Sequence, residues 1–563
     1  MKRISYICLM FSLLLCFASC EKVLDKKPLT QFTNDNFWTR EANVEIYANY
    51  FYNEWSGYGN GSGQGVFYYQ TLNDNQVGRS FATFTVNVPA SDGTWSACYT
   101  EIRRANIMIE KVPGIASMND KAKAHWLGVA RLYRAWQHFC LVRKFGDAVI
   151  VDKNLNVNQE DKDGYLYAAR NSRNDVMDFI LEDLNFAVEN INKNASSRVA
   201  YNAAVAQAIK SRICLFEGTY AKYHQNDNAR ANKYLAESKA ASEAIMNNSM
   251  YVLNNSYRAN YNSEDLNGNK EMIMYKKYIK SVLGHSLISY TCSSTQIHGM
   301  SKAAFDSYLF TDGLPKATTS CDNTDRGIAN AEGRIDIQNL LDVRDPRLAE
   351  SIDSVLFYNG NGYIRYGDGM SSTSSSGYGV LKFDNPKFPA TDRNQSGSSN
   401  HTDAPIFWLA EIYLNYAEAC AEMGNCSKAD LDKSINKLRA RAGMPEMSAT
   451  PMADPANNMG VSDLIWEIRR ERRVELMFDL EDRYWSLIRW KQLDKLDNQK
   501  YPDQTKGAWI GNTKADQVTV DENGYIDGSF GMIRSFEEKQ YLQPIPSGQL
   551  GLNPNLGQNP GWN

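Results

Sequence analysis

Apolar residues recur at steps of three and four through residues 119–145, 172–247 and 405–443, and that period commits these blocks to amphipathic helix. In the first block Trp126, Val129, Tyr133, Trp136 and Cys140 share one stripe. The second divides into segments near Asp175–Ile191, Tyr201–Tyr220 and Asn228–Met246. In the third, Leu409, Ile412, Tyr416, Ala417, Cys420 and Met423 form a stripe that Gly424-Asn425 closes as a C-cap does. Further helices are expected from about Ser462 to Phe478 and over Asp479–Gln492. Helix pairs with small and aromatic residues in their seam, Tyr416-Ala417-Glu418-Ala419 above all, resemble the tetratricopeptide unit, without its strict period of about 34 residues.

Between the helical blocks lie residues 57–94, 252–310, 311–404 and 495–563, rich in Gly, Ser, Asn, Asp and aromatics. Segments this long are functional loops more often than connectors. Short strands are expected around 84–88 and 378–382, with no series long enough for a sheet. Gly57 to Gly65 and Ser371 to Gly377 read as the most mobile stretches. The fold expected is therefore mostly α, with long irregular loops and few strands.

Lys2 and Arg3 precede an apolar run from Ile7 to Phe17, the layout of a secretory signal. Ala18-Ser19-Cys20 then looks like a lipobox, with Phe17 where Leu is usual. Cleavage before Cys20 would leave an N-terminal cysteine carrying more than one acyl chain, enough for stable anchoring. Cys8 and Cys16 leave with the signal. Cys98, Cys140, Cys214, Cys292, Cys321, Cys420 and Cys426 remain, an odd set without CxxC, which reads as free thiols and not as a disulfide framework.

The formal charge is -4, so there is no basic excess for a phosphate backbone, and nucleic acid is excluded as a partner. No HExxH, GxSxG or Walker sequence occurs, and His125, His138, His224, His285, His298 and His401 are scattered. No metal, no cofactor and no catalytic residue is expected, and the chain is read as a non-enzyme. Arg472 falls on an otherwise apolar stripe and needs a buried partner, with Glu471, Glu475 and Glu418 as candidates.

The motifs run in an order. Leu24-Asp25-Lys26-Lys27-Pro28 follows the lipobox, then come Phe37-Trp38, the run from Trp95 to Asn106, Ala130-Arg131 with Arg134-Ala135, and Lys144-Phe145-Gly146-Asp147. Asp312-Gly313 with Pro315 precedes Arg344-Asp345-Pro346-Arg347-Leu348. The helical block carries Ala410-Glu411 through Ala419, Ile435 through Gly443, Arg470-Glu471-Arg472-Arg473, Arg483 with Trp485, and Arg489-Trp490. Pro544-Ile545-Pro546 and the stretch from Asn553 to Trp562 end the chain. Over its whole length this series resembles the RagB/SusD family of nutrient-binding outer-membrane lipoproteins.

The resemblance implies about four tetratricopeptide-like helix pairs forming a platform, with loops on one side making the ligand site. It implies a surface-exposed lipoprotein of the outer membrane that binds oligosaccharides. It also implies a partner, a TonB-dependent SusC-like barrel to which the nutrient is delivered. A peptide- or other-nutrient-binding member of the family, or a helical-repeat scaffold without transport, are the alternatives. The expected organisation is a signal peptide over 1–19, a helical-repeat region over 20–250, and a region over 251–563 that holds the ligand-site loops, helices 405–492 and an extended tail.

Sugars present C–H faces and dense hydroxyls, which flat aromatics and planar polar side chains bind. Three loop clusters have that mixture. The first supplies Tyr68, Tyr69, Asp74, Arg79 and Trp95 as candidate ligand contacts, beside Phe67, Asn73, Asn75 and Gln76. The second supplies Tyr290, with Gln296 and Tyr308. The third supplies Tyr363, with Arg365, Tyr366 and Asp368.

Overall fold

The computed structural model describes residues 37–563 apart from 63–64, 68–71, 79–80, 156–161, 194–196, 293–297, 323–326, 330–333, 368–370, 395–398, 480–481 and 512–516. Cys20, Tyr68, Tyr69, Arg79, Gln296 and Asp368 lie outside the described residues. The fold is mostly helical, with 47% of residues in helices and 9% in strands.

The long helices are α1 (Glu41–Ala48), α2 (Gly93–Lys111), α3 (Asp120–Phe145), α4 (Arg173–Asn190), α5 (Ala203–Tyr220), α6 (Asn228–Met246), α7 (Leu409–Glu422), α8 (Asp463–Glu475) and α9 (Asp482–Arg489). Polar side chains mark their starts. Asp92 caps α2, Asn119 α3, Ser172 α4, Asn202 α5, Asp227 α6 and Ser462 α8, each accepting from backbone N–H groups of the first turn. From α2 to α8 each helix packs on the next, which joins tetratricopeptide-like pairs into a platform. α5 and α6 approach so closely at Gly218 that a Cβ there would stand 2.7 Å from Cγ of Leu235. Gly424 follows α7 with φ +77°, the left-handed turn expected of a C-cap.

The seams of this platform are apolar but not purely so. A buried arginine crosses most of them. Arg134 grips Asp183 at 2.8 and 2.9 Å between α3 and α4, and Arg173 holds Glu217 at 2.7 Å between α4 and α5. Helix α7 is buried along its whole length, so its polar residues must all find partners inside. Glu411 takes a bidentate pair from Arg212 at 2.7 Å, and Glu422 accepts from Lys222, Tyr223 and Arg469. Glu418 accepts from Arg472 at 2.9 Å, from Arg489 at 2.9 Å and from the Trp490 indole at 2.7 Å. Burial pushes the Glu418 carboxyl up, but Arg489 and Arg472 override it and hold the group at about 2. Arg472 thus pairs with Glu418. Glu471 and Glu475 face Arg347 instead, at 2.6 and 2.9 Å.

Strands occur as isolated pairs between distant segments. β1 (Gln76–Gly78) runs antiparallel to β3 (His298–Met300), and β2 (Met272–Lys276) to β6 (Ala404–Trp408). The short pair β4 (Tyr363–Ile364) and β5 (Ser371–Ser372) makes a hairpin. No strand forms at 84–88. There Thr85 donates to the side chain of Gln543 at 2.9 Å and its carbonyl accepts from Gln540 at 3.1 Å, so side chains of the C-terminal segment stand where a partner strand was expected. At 378–382 only a single bridge forms, Val380 to Ile352. The stretch 371–377 is not an open loop either, because Ser372, Ser374, Ser375 and Ser376 are buried.

The last residues are seated. Asn559 donates to the carbonyls of Phe145 and Gln543, Arg170 donates to Leu556 and Asn559, and the Trp562 indole donates to Lys539 and Leu542.

Candidate functional site

The loops stand on a buried aromatic layer. Tyr58, fully buried, donates to the Tyr261 carbonyl at 2.7 Å and meets Phe67 edge-on at 4.9 Å. Tyr278 donates to Gly59 at 2.6 Å, and the backbone of Gly61 is hydrogen-bonded to Gly284 and Ser286. The described part of 57–65 is therefore tied down. Beneath this layer Lys382 lies 3.7 Å over the Tyr261 ring and donates to Asp479 at 2.8 Å, joining the loops to the end of α8. Burial drives the Asp479 carboxyl up to about 6 despite the lysine beside it.

Above that layer one carboxylate organises the third cluster. Asp384 accepts from Arg365 at 2.8 Å and from Arg393 at 3.0 and 3.1 Å. Burial alone would raise its carboxyl, but Arg365 and Arg393 hold it below the usual range. Arg365 also clamps Asp353, so its guanidinium plane is fixed on two sides. Arg393 in turn stands 4.5 Å from the ring of Tyr366, which is 40% exposed. On the hairpin next to it Tyr363 stacks on Phe357 at 5.7 Å and carries Arg334 at 5.4 Å on its ring. Tyr363 is half-buried and sits on β4.

The second cluster joins this face through helix contacts. Tyr290 lies half-buried on the short helix Leu287–Cys292, which packs against the helix Ala390–Asn394 that carries Arg393. Ile288 and Phe388 form a small apolar core beneath that junction. A chain of contacts thus runs from the helix of Tyr290 through Arg393 to Tyr366, with Tyr363 three residues before it in the chain. These tyrosines present partly open rings on an arginine-rigidified support, an arrangement suited to stacking against a flat ligand.

The other described candidates are occupied differently. Asp74 is buried and takes a bidentate pair from Arg483, 2.6 Å on each oxygen, with Arg473 at 3.2 Å. Burial raises its carboxyl, and the two guanidiniums override that and hold it far below the carboxylate range. Asn73 accepts from the backbone N–H groups of Asn75 and Gln76, and Asn75 accepts from Arg473. Residues 73–76 are thus an anchor that fixes the entry to β1. Trp95 is 4% exposed, with its ring against Tyr99 and Phe145 in the first turn of α2. Phe67 and Tyr308 are fully buried. Arg393, central to the loop face, was not singled out in the sequence, because a lone arginine in a polar loop carries no period or spacing. Among the described residues no group of three or more His, Cys, Asp or Glu stands close enough to hold a metal ion.

Comparison with known proteins gives consistent results along the chain. A family model described as SusD family matches residues 242–562, and one described as starch-binding associating with outer membrane matches residues 20–215. A SusD-like protein of Bacteroides ovatus is 26% identical over 540 residues, 91% of this chain and 86% of that one. SusD-like protein P38 of Formosa agariphila is 22% identical over 517 residues, 87% of this chain and 92% of that one. Among solved structures, a SusD-like carbohydrate-binding protein from Bacteroides fragilis superposes with a TM-score of 0.69 at 21% identity, covering 92% of this chain and 99% of that one. A chain crystallised with xylogluco-oligosaccharide superposes with a TM-score of 0.59 at 20% identity, covering 91% and 96%.

Proposed function

The chain belongs to the SusD family, and from that premise we propose that it binds oligosaccharides on the loop face of Tyr290, Tyr363 and Tyr366 and delivers them to a TonB-dependent SusC-like barrel. Acyl chains on Cys20 hold it at the outer membrane, facing outward. It binds without turnover. The observation that carries this reading is the set of half-open tyrosines on a support locked by Asp384, Arg365 and Arg393. The solved relative with bound xylogluco-oligosaccharide and the family description of outer-membrane association both support it.

The test is calorimetry on residues 21–563 with neutral oligosaccharides, alongside peptides of similar mass. Oligosaccharides are expected to bind. Tyr363→Ala, Tyr290→Ala, Tyr68→Ala and Tyr69→Ala separate ligand contacts from packing. Loss of a true stacking residue should weaken binding roughly tenfold to a hundredfold, the worth of one buried aromatic face, with the melting temperature unchanged. Asp74→Ala and Trp95→Ala should instead lower the melting temperature. Affinity for peptides with silence toward every glycan, or release of cleaved sugar, refutes the reading.

A further inference from the structure

We propose a second ligand site, for a sugar bearing a carboxylate or sulfate, in the cleft between α8, residues 495–504 and residues 303–317. It rests on the glycan reading of the chain, but none of the loop-face tyrosines lines it. The cleft has a volume of about 680 Å³, inside the range of roughly 300–1,000 Å³ typical of small-molecule sites.

Its lining is unusual in three respects. Seven basic side chains stand among four carboxylates, and every one of those carboxylates already faces a cation. Asp74 is held by Arg483 and Arg473, Asp454 by Arg470, Asp306 by Lys302, and Asp503 by Lys506 at 3.0 Å. Lys500, with a side chain 60% exposed and its carboxylate neighbour Asp497 at 4.0 Å, leaves positive charge at the rim. Second, Gln504 is 3% exposed and lines the cleft, yet among the described residues neither its Nε2 nor its Oε1 has a partner. The Nε atoms of Arg469 and Arg470, also in the lining, are likewise unsatisfied. Buried polar groups are almost always hydrogen-bonded, and those that are not await something that enters. Third, Trp466 lines the same cleft, half-buried, its indole N–H fixed on Asp454 at 3.1 Å.

These parts fit one chemistry. The amide of Gln504 offers a donor and an acceptor to vicinal hydroxyls, Trp466 an apolar surface for ring C–H groups, and the excess of N–H donors a seat for an anionic substituent. A neutral sugar would satisfy the first two and leave the lining cations to their carboxylates outside the cleft, Glu422 for Arg469, Asp494 for Lys495 and Asp497 for Lys500.

Calorimetry with trigalacturonate, a sulfated galactose trisaccharide and neutral maltotriose tests this, and the first two separate carboxylate from sulfate. At least one acidic trisaccharide is expected to bind about tenfold or more tighter than maltotriose, and more weakly as salt is raised. Lys500→Glu changes an exposed side chain and Gln504→Ala removes no hydrogen bond, so both should fold. Each should cut acidic-sugar affinity by about tenfold, Lys500→Glu should leave maltotriose binding unchanged, and Tyr363→Ala should not reproduce the loss of acidic-sugar affinity. The inference is overturned if neither acidic sugar outbinds maltotriose, or if acidic-sugar binding ignores both cleft variants. Binding of maltotriose alone overturns this site and leaves the glycan reading standing. Silence toward all three overturns both.

Discussion

Replacing Glu418 with Ala is expected to lower the stability of the fold by about 3–5 kcal/mol, the cost of removing one partner from a buried ion pair. The carboxylate is fully buried and is shared by Arg472, Arg489 and the Trp490 indole in the seam between α7, α8 and α9. Among the described residues its loss leaves Arg489 without a carboxylate and Arg472 with only Asp482 and Asn415. Urea unfolding measures this as a shift in midpoint at constant slope. A loss below about 1 kcal/mol, the scale of an exposed pair, would show that the cluster is solvated. The sign of the pH dependence follows. The folded carboxyl sits at about 2 against an ordinary 4.5, so its stabilisation is complete above 4.5 and is lost as pH falls from 4.5 toward 2. The gap between the native protein and Glu418→Ala should close over that window.

Cys20→Ala is expected to shift the whole population from the membrane fraction to the soluble fraction, or to leave a longer uncleaved precursor in the membrane. Among the described residues no helix is long and apolar enough to cross a membrane, so the acyl chains would carry the attachment. Fractionation and intact mass decide it. A variant that stays with the membrane at its mature mass would show that residues 1–20 are something other than a lipoprotein signal.

The long helices were legible because their signal is local. Residues 228–246 show both the period and the Asp227 cap, and α6 spans those residues. α7 was legible to its terminus, since Gly424 can only end it. The pairs β1–β3 and β2–β6 were not, because each strand depends on a segment far away in the chain. β1 pairs with β3 across about 220 residues and β2 with β6 across about 130, while residues 84–88 form no strand. The site shows the same limit. Asp74 looks like any loop acid until Arg473 and Arg483 arrive from the opposite end of the chain. Trp95 looked available for stacking because composition says nothing of which face a helix buries. Tyr363 and Tyr366 were legible as an aromatic cluster, but their support, Asp384 with Arg393, carries no pattern that sequence alone reveals.

The seated C-terminal tail has a consequence for how the molecule matures. Asn559 closes over the end of α3, 414 residues earlier in the chain, while Trp562 packs on the nearby segment 539–543. Helical repeats alone can nucleate anywhere and propagate by neighbour contacts. Here the end of α3 lacks part of its covering until residues 553–562 are in place, and the high contact order of that closure slows folding.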